Sequence, residues 1–137
     1  VPDRLFTGAP ANTADHLRRV YGNRAADVLD LATTPDLREP FDPWTGAIGA
    51  EVIHAVRREA ARTLADILAR RSMVGLGPDL GIGPDEAAAA IAVRHLGWSD
   101  ERAAREVAEY RAGVARYRPR ILESAAHAGA QSPTPAG

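Results

Sequence analysis

The chain has 137 residues, with 17 basic and 18 acidic side chains and a net charge of −1. That length suits one domain, and the balance provides no global field for nucleic acid or an anionic membrane surface. It has no cysteine, which excludes a disulfide framework and thiolate metal sites and fits a reducing compartment.

The first residues, Val1–Ala11, contain Pro and Gly and no helix or strand pattern, so they read as a linker from an upstream part. Starting on Val is expected of an excised or processed piece. No basic stretch leads into an apolar run, so no signal peptide is expected. Asn12 or Thr13 can cap a first helix that runs to about Tyr21, with Gly22 ending it. Asn23 can cap a second short helix over Arg24–Ala32, with Val28, Leu29 and Leu31 apolar. Pro35, Pro40 and Pro43 then prevent a continuous helix, so Thr33–Trp44 reads as an ordered loop with room for one short turn.

A helix is expected from Ala47–Ala50 to about Ala60. Ile53, Val56, Ala60, Leu64 and Ile67 recur every three or four residues, which marks one buried face. Thr63 followed by Asp66 imitates a capping box with a shorter acid, so Glu51–Arg71 is either one helix or two joined at a sharp break. Arg70 and Arg71 favour the negative end of the helix dipole. Gly75–Pro84, rich in Gly and Pro, is a loop. Pro84, Asp85 and Glu86 open a helix that ends at Leu96–Gly97. Its alanine-rich run, Ala87–Val93, is about a third of the roughly 20 residues that span a membrane.

Ser99 caps the last helix, where Ala103, Val107, Tyr110, Val114, Tyr117 and Ile121 form a stripe over about five turns. Pro119 is expected to disturb it near Ala115. The last residues, rich in Ser, Pro and Ala, read as a mobile tail. No alternating, β-branched run is present. The expected fold is all-α: a compact bundle of five to seven helices with no sheet. The expected organisation is a linker over 1–11, a helical domain over 12–128 and a flexible tail over 129–137.

Candidate chemistry is sparse. Gly81-Ile82-Gly83-Pro84-Asp85-Glu86 imitates a dinucleotide loop, but Glu86 stands where the third glycine belongs and no strand precedes it. His16, His54, His95 and His127 form no metal-binding pair. His54 falls on the polar side of its helix beside Glu51 and Arg58, and reads as solvated or hydrogen-bonded. No catalytic, cofactor-binding or metal site is therefore expected. Arg62, Asp66 and Arg70, four apart, read as a ladder on one helical face. Arg57 and Glu59 flank the apolar stripe. Together with Arg71 these residues form the candidate domain interface. Trp98 reads as a plug between two helices, and Trp44, in the proline loop, as buried in preference to an exposed docking residue.

Four strings carry a resemblance: His16–Gly22, Asp36–Pro40, Glu51–Arg71, and Leu96–Ser99 leading into Glu106–Tyr110. Together they resemble the C-terminal domain of the FAD-dependent glycerol-3-phosphate dehydrogenases, also called the alpha-glycerophosphate oxidase C-terminal domain, over roughly Thr13 to Tyr117. The run Ala55–Arg71 is the specific part. The resemblance implies a parent that oxidises glycerol 3-phosphate to dihydroxyacetone phosphate through FAD and passes electrons to a quinone or oxygen. It implies a cytoplasmic setting, with the parent peripheral to the membrane. It implies an upstream FAD and substrate domain as partner, and it leaves room for a homodimer. The family's flavin and catalytic residues belong to that upstream part, so none is carried over. Two other readings stand beside it. One is an independent helical module that binds a partner helix. The other is a helix-turn-helix DNA binder over Thr13–Ala32, which Asp15, Asp27 and Asp30 argue against by facing phosphates. No nucleic-acid partner is expected.

Overall fold

The computed structural model describes the backbone of residues 2–71 and 80–131, and the side chains of 2–68 and 80–116. Among the described residues there are six α-helices: α1 (Ala11–Tyr21), α2 (Ala25–Asp30), α3 (Pro35–Arg38), α4 (Gly49–Arg58), α5 (Pro84–Leu96) and α6 (Asp100–Gln131). Short 3₁₀ turns precede α1 and α2, and a π-helical turn covers Asp66–Arg71. The only β feature among them is an isolated bridge between Pro40 and Ile48. The fold is all-α, as the periodicity requires.

The core gathers around α4, which packs on α2, α3, α5 and the π turn, while α6 lies along α5. Leu17, Val28, Leu37, Val52, Leu64 and Ile67 are almost fully removed from water. Part of the stretch read as a linker is structured: Asp3–Phe6 forms a turn, Phe6 joins the core, and Arg18 lies 4.4 Å above its ring.

The entry to α1 departs from expectation. Neither Asn12 nor Thr13 caps it. Thr13 is buried, and its hydroxyl donates to the Gly46 carbonyl at 2.8 Å. Asn12 Nδ2 donates to the Pro43 carbonyl at 3.0 Å. Both side chains serve the proline loop. Gly22 ends α1 at φ 55°, as expected. Asn23 does not cap α2; a 3₁₀ turn over Gly22–Arg24 leads directly into it.

Glu51–Arg71 is two helical pieces, not one. The chain breaks after Arg58, and Ala60 takes a left-handed φ of 58°. Thr63 and Asp66 then restart the helix by reciprocal capping. The Thr63 hydroxyl accepts from Asp66 N at 3.1 Å, and Asp66 Oδ2 accepts from Thr63 N at 3.3 Å and Arg62 N at 3.1 Å. Ile53, Leu64 and Ile67 are buried, but the break turns Ala60 out into solvent.

α5 begins at Pro84 and ends at left-handed Gly97, and Trp98 is buried beyond it, all as expected. Ser99 Oγ accepts from Arg102 N at 3.0 Å and caps α6. Tyr110 is buried and Val107 and Val114 pack against the core, whereas the side chains of Tyr117 and Ile121 lie outside the described residues. Pro119 does not end α6, which continues to Gln131. One missing amide costs one rung, and the remaining rungs carry the helix. Most of the loop before Pro84 and the end of the tail also lie outside the described residues. No helix among the described residues is long and apolar enough to cross a membrane.

Candidate functional site

The densest polar chemistry is inside the fold. Glu51, on the first turn of α4, is completely buried. Its carboxylate accepts from Ile48 N at 2.6 Å and from the Tyr21 hydroxyl at 2.9 Å, and lies 2.7 Å from His16 Nε2. The Ile48 contact is half a capping box, because isoleucine has no oxygen with which to answer. Burial, and then the Glu51 charge, push the Tyr21 hydroxyl far above its usual range and keep it a donor.

His54 is also buried, which corrects its assignment to a polar face. Gly49 through Ala55 are all buried, so this part of α4 has no polar side. Tyr21 meets the His54 ring edge-on at 5.3 Å. Glu59 Oε1 approaches His54 Nδ1 at 3.1 Å, without the alignment of a hydrogen bond. Burial lowers the His54 pKa, against the pull of Glu59.

Two further carboxylates tie helices together. Asp36 meets His95 Nε2 at 2.7 Å and the Thr34 hydroxyl, and these bonds, the threonine's first, hold its pKa at about 2. Asp85, fully buried, accepts from Arg111 Nε at 2.8 Å and Nη2 at 3.0 Å, and so joins α5 to α6.

Asp85 also decides the fate of the imitation dinucleotide loop. Its Oδ1 accepts from Gly83 N at 3.0 Å and Glu86 N at 2.8 Å. The chain's own anion therefore takes the amides at the start of α5 that a pyrophosphate would need. A Cβ on Gly81 would fall 2.2 Å from the Tyr110 hydroxyl, so that glycine serves packing. These residues do not fit a flavin dinucleotide. No group of three His, Asp or Glu side chains converges as a metal site among the described residues.

Of the residues singled out from sequence, Arg57 lies in the last turn of α4, and Glu59, Arg62 and Asp66 follow it through the break. Arg57 is exposed, and its Nη2 donates to the His95 carbonyl at 3.5 Å. Glu59 turns inward toward His54. Arg62 is exposed in the break, and its carbonyl accepts from Arg102 Nη2 at 3.1 Å. Asp66 is the cap described above. The side chains of Arg70 and Arg71 lie outside the described residues. The Arg62–Asp66–Arg70 ladder does not exist as one helical face, because Arg62 precedes the second helical piece. In its place is a groove of about 400 Å³ floored by Val56, Ala61, Leu96 and Trp98 and edged by Arg62 and Arg102. Arg102 stacks 4.2 Å over the Trp98 ring, and its Nε lies 3.8 Å from Glu106. Glu106 is buried and accepts from Leu64 N at 3.0 Å.

Sequence reasoning missed Glu51, His16, Tyr21 and Asp85 as structural groups. One signal was present: Glu51 and His54 are the only polar side chains between Ala47 and Val56.

Residues 5–103 match the family model for the C-terminal domain of alpha-glycerophosphate oxidase. A glycerol-3-phosphate dehydrogenase of Mycobacterium leprae is 41% identical over 101 residues, 72% of this chain and 17% of that protein. One from Synechocystis is 33% identical over 110 residues, 79% of this chain and 20% of that protein. Glycerol-3-phosphate dehydrogenase 2 of Mycobacterium tuberculosis is 36% identical over 101 residues, 72% of this chain and 17% of that protein. The chain thus spans a fifth or less of the length of these relatives. No solved structure matches it at a significant level.

Proposed function

This chain belongs to the alpha-glycerophosphate oxidase C-terminal domain family, and from that premise we propose that it is the helical C-terminal domain of a glycerol-3-phosphate dehydrogenase, where it docks on and stabilises the upstream catalytic part. The parent reaction is oxidation of glycerol 3-phosphate to dihydroxyacetone phosphate, with FAD held by the upstream part and electrons passed on to a quinone or oxygen. The setting is cytoplasmic, with the parent peripheral to the membrane. Bound there, FAD would supply the two-electron acceptor for the substrate. The residues of this chain do not contribute to that step.

One observation carries the reading. The buried polar groups Glu51, Asp85 and Asp36 are matched by internal donors, so they lock the fold. Arg57 and Arg62 instead stand exposed, Arg62 on the rim of an apolar groove and Arg57 next in sequence to Val56 of its lining, within the segment that carries the resemblance. Exposed arginines on a rigid frame are suited to bidentate pairing with carboxylates across an interface.

The test is Arg57→Glu with Arg62→Glu in the full-length enzyme. The expected result is a lower melting temperature and faster flavin loss, with the melting of the 137-residue chain unchanged. Unaltered flavin retention and melting in the full-length enzyme would overturn the docking role. The 137-residue chain purified alone is expected to show no flavin absorbance and no dehydrogenase turnover.

A further inference from the structure

The loop Glu39–Ala47 is short, rich in proline and tightly bound, yet it carries Trp44 outward with 67% of its surface exposed. The tip is held from every side. Asp42, itself buried, accepts from Trp44 N at 3.2 Å, Thr45 N at 3.2 Å and the Thr45 hydroxyl at 2.7 Å. Gly46 N donates to the Asp42 carbonyl at 2.9 Å, and Phe41 N to the Ala47 carbonyl at 2.9 Å. Asn12 and Thr13 clamp the outer strand of the loop from α1. Gly46 has φ 81° and sits so close to α1 that a Cβ would lie 2.7 Å from Thr13 N. The same loop packs its other large apolar side chain, Phe41, against the core, so its backbone is able to turn an aromatic ring inward. It holds Trp44 in water instead.

We propose that Trp44 is a preformed anchor that inserts into an apolar pocket on the upstream part of the same polypeptide. The inference rests on the docking reading above and adds a second, separate contact to it. Rigid tryptophans are the residues that carry most binding energy when a pocket desolvates them, and a prepinned loop avoids the ordering cost of association. The occupant follows from length and charge. The relatives are several times longer than this chain, so a large protein surface adjoins the domain in them. The loop contains Glu39 and Asp42 and no basic residue, which disfavours an anionic lipid surface.

Hydroxyl-radical footprinting with mass spectrometry tests this directly, because Trp98, buried in the domain, is an internal reference. In the 137-residue chain Trp44 is expected to oxidise several-fold faster than Trp98. In the full-length polypeptide, dilute and without lipid, its rate is expected to fall to near that of Trp98. Equal Trp44 oxidation in the two forms would overturn the proposal. So would protection that appears only at high concentration of the short chain, which indicates a second copy, or only with phosphatidylglycerol vesicles. As a second arm, Trp44→Asp is expected to lower the melting temperature of the full-length polypeptide and leave the short chain unchanged; no change in either would also overturn it. If Trp44 stays exposed while the Arg57 and Arg62 variants still loosen flavin, the anchor fails and the docking edge stands.

Discussion

Glu51 shows how one buried charge can organise a domain. Three donors converge on it from α1, from the residue before α4 and from the Tyr21 ring that also touches His54. Removing it leaves each donor without its acceptor in a dry site. Glu51→Ala is therefore expected to destabilise the chain by about 3–5 kcal/mol in urea unfolding, the range for breaking a buried charged network. Glu51→Gln keeps the shape but sets an amide NH2, a donor, where one carboxylate oxygen accepted, and is expected to recover only part of that loss; full recovery would show that the charge and its donors are not the cause. His54 makes the fold sensitive to acid. An unfolded histidine titrates near 6.5, and burial holds the folded one lower. Between those values the unfolded chain binds a proton that the folded chain refuses. Stability is thus complete above about pH 6.5 and declines as pH falls below it. Urea unfolding from about pH 7.5 to 5.5 should show this decline, and His54→Gln should flatten it.

At the scale of elements, the break after α4 is the decisive event. Ala60 enters a left-handed conformation that alanine adopts only at a cost, and the Thr63–Asp66 pair restarts the chain at a new angle. Glu106 from α6 supports the restart by accepting from Leu64 N. Asp66→Ala removes an acceptor shared by two backbone amides, and is expected to cost about 1–2 kcal/mol, as a lost N-cap does. Asp66→Asn should recover most of that loss in the same denaturation assay, since an amide oxygen still caps; equal losses would place the effect elsewhere. The capping pair was legible in sequence because it is local: spacing alone specifies it. The failure of Asn12 and Thr13 as caps was not legible. Their partners, Pro43 and Gly46, lie more than thirty residues away, and the spacing of the two segments in space has no signature in either.

Across the whole molecule, α4 links the two surfaces that face outward. Ten residues make a helix about 15 Å long, with the Trp44 loop ahead of its first turn and Arg57 in its last. The two proposed contacts thus stand at opposite ends of one rigid rod, and a partner that engaged both would fix the orientation of the domain, which one contact alone cannot do. The carboxylate ties Asp36–His95 and Asp85–Arg111 brace α5, which packs on α4, against α3 and α6.

The order of residues by itself determined the helical class, the sites of Gly22, Pro84, Gly97 and Ser99 as helix boundaries, the candidate cap at Thr63–Asp66 and the family resemblance. All of these rest on periodicity, capping and turn chemistry, which act within a few residues. Only the tertiary structure decided that Glu51 and His54 are interior, that Trp44 is exposed and that Arg62 edges a groove in place of a ladder. Burial is a property of what packs from elsewhere in the chain. An aromatic on a pinned loop carries no local mark of whether it meets water, and the apolar neighbours of Glu51 and His54 mark their stretch as interior without naming what packs around it.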